Sequence, residues 1–182
     1  MKKTLLLFLA ALALSSAFAQ QKLVPAQSEI VFVSKQLGVP VDGKFKKFDA
    51  QIAFDTKKPE TGKINFAIDL GSAEIGDAET IKELKKPDWF SVVKFPQATF
   101  ASSAIKAVGP GKYEVSGTLS IKGNTKPVVV PVTLVQTGTT GLAQGSFVLK
   151  RNDFQIGAGE WADVSIVAND VTVKFKLALA GL

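Results

Sequence analysis

Cysteine and histidine are both absent from the 182 residues. Without Cys, no disulfide can hold the fold, which must stand on its own core, and no lipid can be attached to a Cys after a leader. Without His, the chain lacks the commonest general base near neutral pH and the commonest transition-metal ligand. Ser-His-Asp and Cys-His catalysis and His-based zinc chemistry are excluded. Tight zinc or copper binding is not expected. Arg151 is the only arginine. A nucleic-acid face needs clustered cations, and the lysines here are scattered (Lys44, Lys46, Lys57, Lys82, Lys174), so no nucleic-acid partner is expected. No catalytic residue, metal site or cofactor is assigned, and the chain is read as not an enzyme.

What is present begins with a leader. Lys2 and Lys3 precede an apolar run from Leu5 to Leu14, and Ala17-Phe18-Ala19 is a small-x-small cleavage site. This three-part layout marks residues 1–19 as a secretory signal peptide, with a mature, soluble, periplasmic chain starting at Gln20. The run falls short of the ~20 residues a spanning helix needs. Residues 20–182 fit one domain. The formal charge is +6, with two of the charges on Lys2 and Lys3. Mild basicity serves solubility and is compatible with transient contact at an anionic membrane surface.

After Gln20 the pattern is strand after strand. Ile64, Phe66, Ile68 and Leu70 alternate with Asn65, Ala67 and Asp69. Tyr113, Val115, Gly117, Leu119 and Ile121 alternate with Glu114, Ser116, Thr118 and Ser120. Val171, Val173, Phe175, Leu177 and Leu179 do the same against Thr172, Lys174 and Lys176. Strict alternation predicts strands with one buried and one wet face, the habit of antiparallel sheets. Turn residues at 57–62, 109–111, 122–124 and 138–141 separate the runs and predict hairpins. About eight strands are expected, closing as a sandwich or as an eight-stranded barrel just wide enough for side chains or one small ligand. Pro131 lies inside the apolar run 128–132 and lacks a ladder donor, so an edge, a bulge or a strand end is expected there.

One segment departs from this pattern. Residues 77–86 carry helix formers, acids early and lysines late, and Pro87 stops them. A short helix followed at once by Trp89 and Phe90 reads as a lid across one barrel opening. Inward apolar rows predict an apolar ligand, and the lining is assigned to Phe32, Phe45, Ile64, Phe66, Ile68, Trp89, Phe90, Phe100, Val115, Leu119, Val173 and Phe175.

Other patterns carry less. Gly157-Ala158-Gly159-Glu160-Trp161-Ala162 fits G-x-G-x-x-A, but strand patterns flank it, so it reads as a turn and not as a dinucleotide loop. Ser91–Lys94 and Ser103–Lys106 match S-x-x-K without a clear helix or partner motifs. Asp153, Glu160, Asp163 and Asp170 lack the spacing of a calcium loop and read as solvated acids.

Four longer stretches resemble a known family. Residues 38–45 (Gly-Val-Pro-Val-Asp-Gly-Lys-Phe) and 86–100 (Lys-Pro-Asp-Trp-Phe through Lys-Phe-Pro-Gln-Ala-Thr-Phe) are similar to signatures of the YceI-like polyisoprenoid-binding family. So are 113–123 with Lys126-Pro127-Val128, and Lys150-Arg151-Asn152-Asp153-Phe154 followed by Ile156-Gly157. The resemblance spans nearly all of 28–179. It implies an all-β, extended, lipocalin-like barrel in the periplasm, without established catalysis. Such a barrel would enclose a long apolar lipid: a polyisoprenoid, an isoprenoid quinone or a fatty amide. Gln36 and Glu83 stand where many members carry His, so any head-group contact would differ here. A monomer or homodimer is expected. The alternative is a structural or interaction module with a filled core, such as a partner of a membrane cytochrome; a hydrolase built on Ser and acids ranks third.

Overall fold

The computed structural model describes residues 20–182, so the leader expected at 1–19 lies outside the described residues. Among these the chain forms β1 (Gln20–Leu23), β2 (Glu29–Gln36), β3 (Val39–Phe45), β4 (Phe48–Ala53), β5 (Lys63–Asp69), β6 (Ala73–Ile75), α1 (Ala78–Leu84), β7 (Gln97–Gly109), β8 (Lys112–Ile121), β9 (Asn124–Thr137), β10 (Thr140–Lys150) and β11 (Asp170–Ala180). Neighbours pair antiparallel around a ring β1-β4-β5-β7-β8-β9-β10-β11, and β11 closes back onto β1. The eight-stranded barrel expected from the alternation is therefore the fold, and the sandwich is not.

The remaining strands, β2, β3 and β6, continue this wall toward one end. β11 pairs with β1 at Leu179 and Ala180 and with β2 from Thr172 to Lys176. β1 and β2 are thus two halves of one wall strand, interrupted at Pro25, whose missing N–H cannot serve a ladder. Ser28 bridges the interruption: its hydroxyl donates to the Val24 carbonyl at 2.8 Å and accepts from the Ala178 amide at 2.9 Å. β3–β4 and β5–β6 are likewise bent pairs, because β2 pairs β3, β1 pairs β4, and β6 extends β5 along β3.

At the α1 end the wall also parts between β9 and β10. Their ladder runs from Thr137↔Thr140 only to Val132↔Gly145. Pro131 sits one residue beyond. β9 itself continues through Pro131, paired with β8 on its other side. The expected edge is real, but it belongs to one side of an unbroken strand. The turn at Arg151–Phe154 fills the opening: Asn124 Nδ2 donates to the Phe154 carbonyl at 3.2 Å, and Phe154 is buried.

The helix runs from 78 to 84, within the expected 77–86. Asp77 caps it, accepting the Thr80 amide at 2.9 Å. Two apolar clusters fill the barrel lengthwise, one toward α1 and one toward the other end, and Phe45, Ile68, Phe100 and Val173 pack against both.

Candidate lipid cavity

Two cavities lie end to end inside the barrel. The larger, about 420 Å³, is at the α1 end; the smaller, about 170 Å³, lies toward the other end. Ile30, Ile68, Leu119, Phe147 and Val173 line both and form a waist between them. Apolar side chains reach this axis because strand alternation turns every second residue inward. In the smaller cavity Tyr113 is the one lining residue with a polar side-chain atom.

All twelve residues assigned from the sequence lie on these walls. Phe32, Phe45, Trp89 and Phe90 line the larger cavity; Ile64, Phe66, Phe100, Val115 and Phe175 line the smaller; Ile68, Leu119 and Val173 line both. Rings touch along the wall: Phe32 and Phe45 have centroids 5.2 Å apart, Phe45 and Phe90 6.2 Å, and Phe48 and Phe66 5.9 Å.

Glycines let three of the rings lie flat. Gly43 is opposite Phe32, and a Cβ there would come within 2.2 Å of the ring. Gly117 pairs with Ser102, two residues along from Phe100, and would meet the Phe100 ring at 2.5 Å. Gly145 is opposite Phe175 and would meet it at 2.6 Å. Each missing side chain leaves room for a phenyl to lie against the barrel wall.

Of the polar part of the site, sequence reasoning singled out Gln36 and Glu83 and missed Ser34, Glu79 and Thr80. Ser34 and Gln36 from β2 face Glu79, Thr80 and Glu83 from α1 around the larger cavity. The lid reading holds in this sense: α1 and the residues after it form one lip. Glu83 pairs with Lys86 at 2.5 Å, which holds the lysine's pKa above its usual value. The two positions singled out by departure from the family pattern, Gln36 and Glu83, both stand on this cavity.

Arg151 was also missed as a site residue. It is 1% exposed and lines the larger cavity. Its guanidinium donates to the carbonyls of Ala168 (3.0 Å), Ile156 (2.9 Å), Gly157 (3.2 Å) and Val167 (2.6 Å) and to Asn152 Oδ1 (3.0 Å). Burial pulls its pKa down from the usual arginine value. One side chain thus organises the whole connection between β10 and β11. The G-x-G-x-x-A stretch belongs to that connection, where Gly159–Ala162 make a single 3-10 turn and the next element is strand β11, not an α-helix.

The acids near it make local contacts: Asp163 accepts from the Ser165 amide and hydroxyl, and Asp170 pairs with Lys150 at 3.4 Å. The hydrogen bonds donated by the Ser165 amide and hydroxyl hold the Asp163 carboxyl below its usual pKa.

Comparison with known proteins gives a consistent picture. The YceI-like domain matches residues 21–179. Protein YceI of Salmonella arizonae is 36% identical over 145 residues, covering 76% of this chain and 75% of its own. The crystal structure of Burkholderia cenocepacia BcnA superposes with a TM-score of 0.83 at 45% identity, over 86% of this chain and 98% of that one. A polyisoprenoid binding domain from Saccharophagus degradans, implicated in plant cell wall breakdown, shares the fold at a TM-score of 0.72 and 19% identity, over 90% and 99% of the two chains. The chain belongs to the YceI-like domain family.

Proposed function

We propose that this protein is a non-enzymatic carrier that holds one long apolar lipid along the barrel axis. The observation that carries the reading is the pair of apolar cavities meeting at a shared waist. Hydrocarbon burial is worth ~0.8 kcal/mol per CH₂, so a long chain binds tightly without a charged anchor. The polyisoprenoid-binding character of the Saccharophagus degradans domain supports the same ligand class. Polyisoprenoids, isoprenoid quinones and fatty amides are the candidates. The empty volume favours this reading over an interaction module with a filled core. The leader expected at 1–19 makes the periplasm the place of action. The protein works there as a monomer or homodimer, touching the membrane transiently to load and unload.

Extraction of the exported protein, purified without detergent, followed by mass spectrometry, tests the reading. The expected result is a chain beginning at Gln20 that carries a long-chain lipid. A protein that emerges lipid-free and takes up no lipid from vesicles overturns the carrier role. Met1 retained in a membrane fraction overturns the location.

A further inference from the structure

Besides the polar residues of the lip, Trp89, Arg151 and Trp161 bring polar groups to the larger cavity. Their chain segments are stitched together. The Asp88 carbonyl accepts the amides of Gly157 at 2.8 Å and Ala158 at 2.7 Å, and the Trp89 ring lies 5.7 Å from that of Trp161. Among the described residues, Trp89 Nε1 is the one buried side-chain nitrogen or oxygen with no hydrogen-bond partner. Arg151 is also left one donor over. A guanidinium has five N–H groups. Nε has one acceptor, the two Nη1 hydrogens have three, and the two Nη2 hydrogens have only the Val167 carbonyl.

A donor taken out of water without an acceptor costs free energy, and native interiors rarely leave one so. A mostly apolar pocket with one or two placed donors is how a protein fixes the orientation of an amphiphile. Resting on the carrier reading above, we propose that Trp89 Nε1, with the spare N–H of Arg151 on the same cavity, is a head-group site for a carbonyl oxygen at one end of the lipid. The apolar chain then runs through the waist at Val173 into the smaller cavity. The ligand class is a long-chain carbonyl compound. A plain hydrocarbon of the same length fits the walls and leaves both donors unmet.

The sequence holds two tryptophans, Trp89 and Trp161, so the isotope-labelled protein gives two indole N–H signals in a nitrogen–proton correlation spectrum. Trp161→Phe assigns them. The delipidated mature protein is loaded either with a long-chain methyl ketone or with the n-alkane of equal carbon count, and uptake is read by extraction. The expected result is a downfield shift of the Trp89 indole proton with the ketone and not with the alkane. From an equimolar mixture the ketone should be taken up several-fold in excess, and Trp89→Phe should bring that ratio close to one. Uptake of both compounds with the Trp89 signal unmoved and no preference overturns the head-group site while leaving the carrier intact. Uptake of neither overturns the carrier reading, and the head-group site falls with it.

Discussion

At the scale of single residues, the lumen is kept open by what is missing as much as by what lines it. Phe32, Phe100 and Phe175 each lie against a glycine on an adjacent strand. Gly43→Ala brings its methyl first against the Phe32 ring, a side chain that can swing toward the larger cavity it lines. Gly117→Ala meets the Phe100 ring and also the Ala101 carbonyl at 2.5 Å, which is backbone and cannot swing. Overpacking of this kind costs ~1–3 kcal/mol. The expected outcome is a lower melting temperature for both variants, with Gly117→Ala the worse, and a larger loss of lipid than of stability for Gly43→Ala. Thermal melts and lipid extraction on the same samples check both. The alternation of residues 113–121 made Gly117 legible as an inward position. That a ring lies on it was not legible, because the partner is set by register between strands and not by spacing within one.

At the scale of elements, the regular parts were readable and the irregular ones were not. Strand rows over 64–70, 113–121 and 171–179 follow from period-2 spacing, and α1 from its composition. The interruption at Pro25 and the filling of the β9–β10 opening by Arg151–Phe154 depend on contacts far apart in sequence. The acceptors that hold Arg151 come mostly from 156, 157, 167 and 168, a stretch with no period to read. The helix itself makes a pH prediction. Asp77 accepts the Thr80 amide and hydroxyl, and these bonds hold its carboxyl below the usual carboxylate pKa. A depressed folded-state pKa means the stabilisation is present above the ordinary Asp pKa and is lost as pH falls through the lowered one. A helix of only seven residues has little else to hold its first turn. Amide protection factors in 78–84, taken against the intrinsic exchange rate at each pH, should therefore fall on acidification more than those in β8. Asp77→Asn, which keeps an oxygen acceptor but cannot titrate, should remove that acid dependence. Unchanged acid dependence in the Asn variant would show that another group controls the lip.

At the scale of the whole molecule, a barrel with a packed interior and a barrel with a lined tunnel differ in how they answer to added volume. Val173 is the place to ask, because it is one of five residues on both cavities. In a packed core, Val→Phe strains the surroundings by ~1–3 kcal/mol. At about 2–4 °C per kcal/mol for a domain of this size, melting would fall by roughly 2–12 °C. Here the added ring enters space that no protein atom fills and gains apolar contact with the waist. Val173→Phe is therefore expected to melt within about 2 °C of the parent while losing the co-purifying lipid, since the proposed ligand path runs from one cavity to the other past this residue. Val115→Phe sharpens the comparison. Val115 is 4% exposed and lines the smaller cavity alone. Its variant should lose more stability than Val173→Phe and should shorten the chain length accepted without abolishing binding. Melting curves and the length distribution of extracted lipids decide the matter. If Val173→Phe melts early and still carries full-length lipid, the ligand does not pass through the waist, and the two cavities act separately.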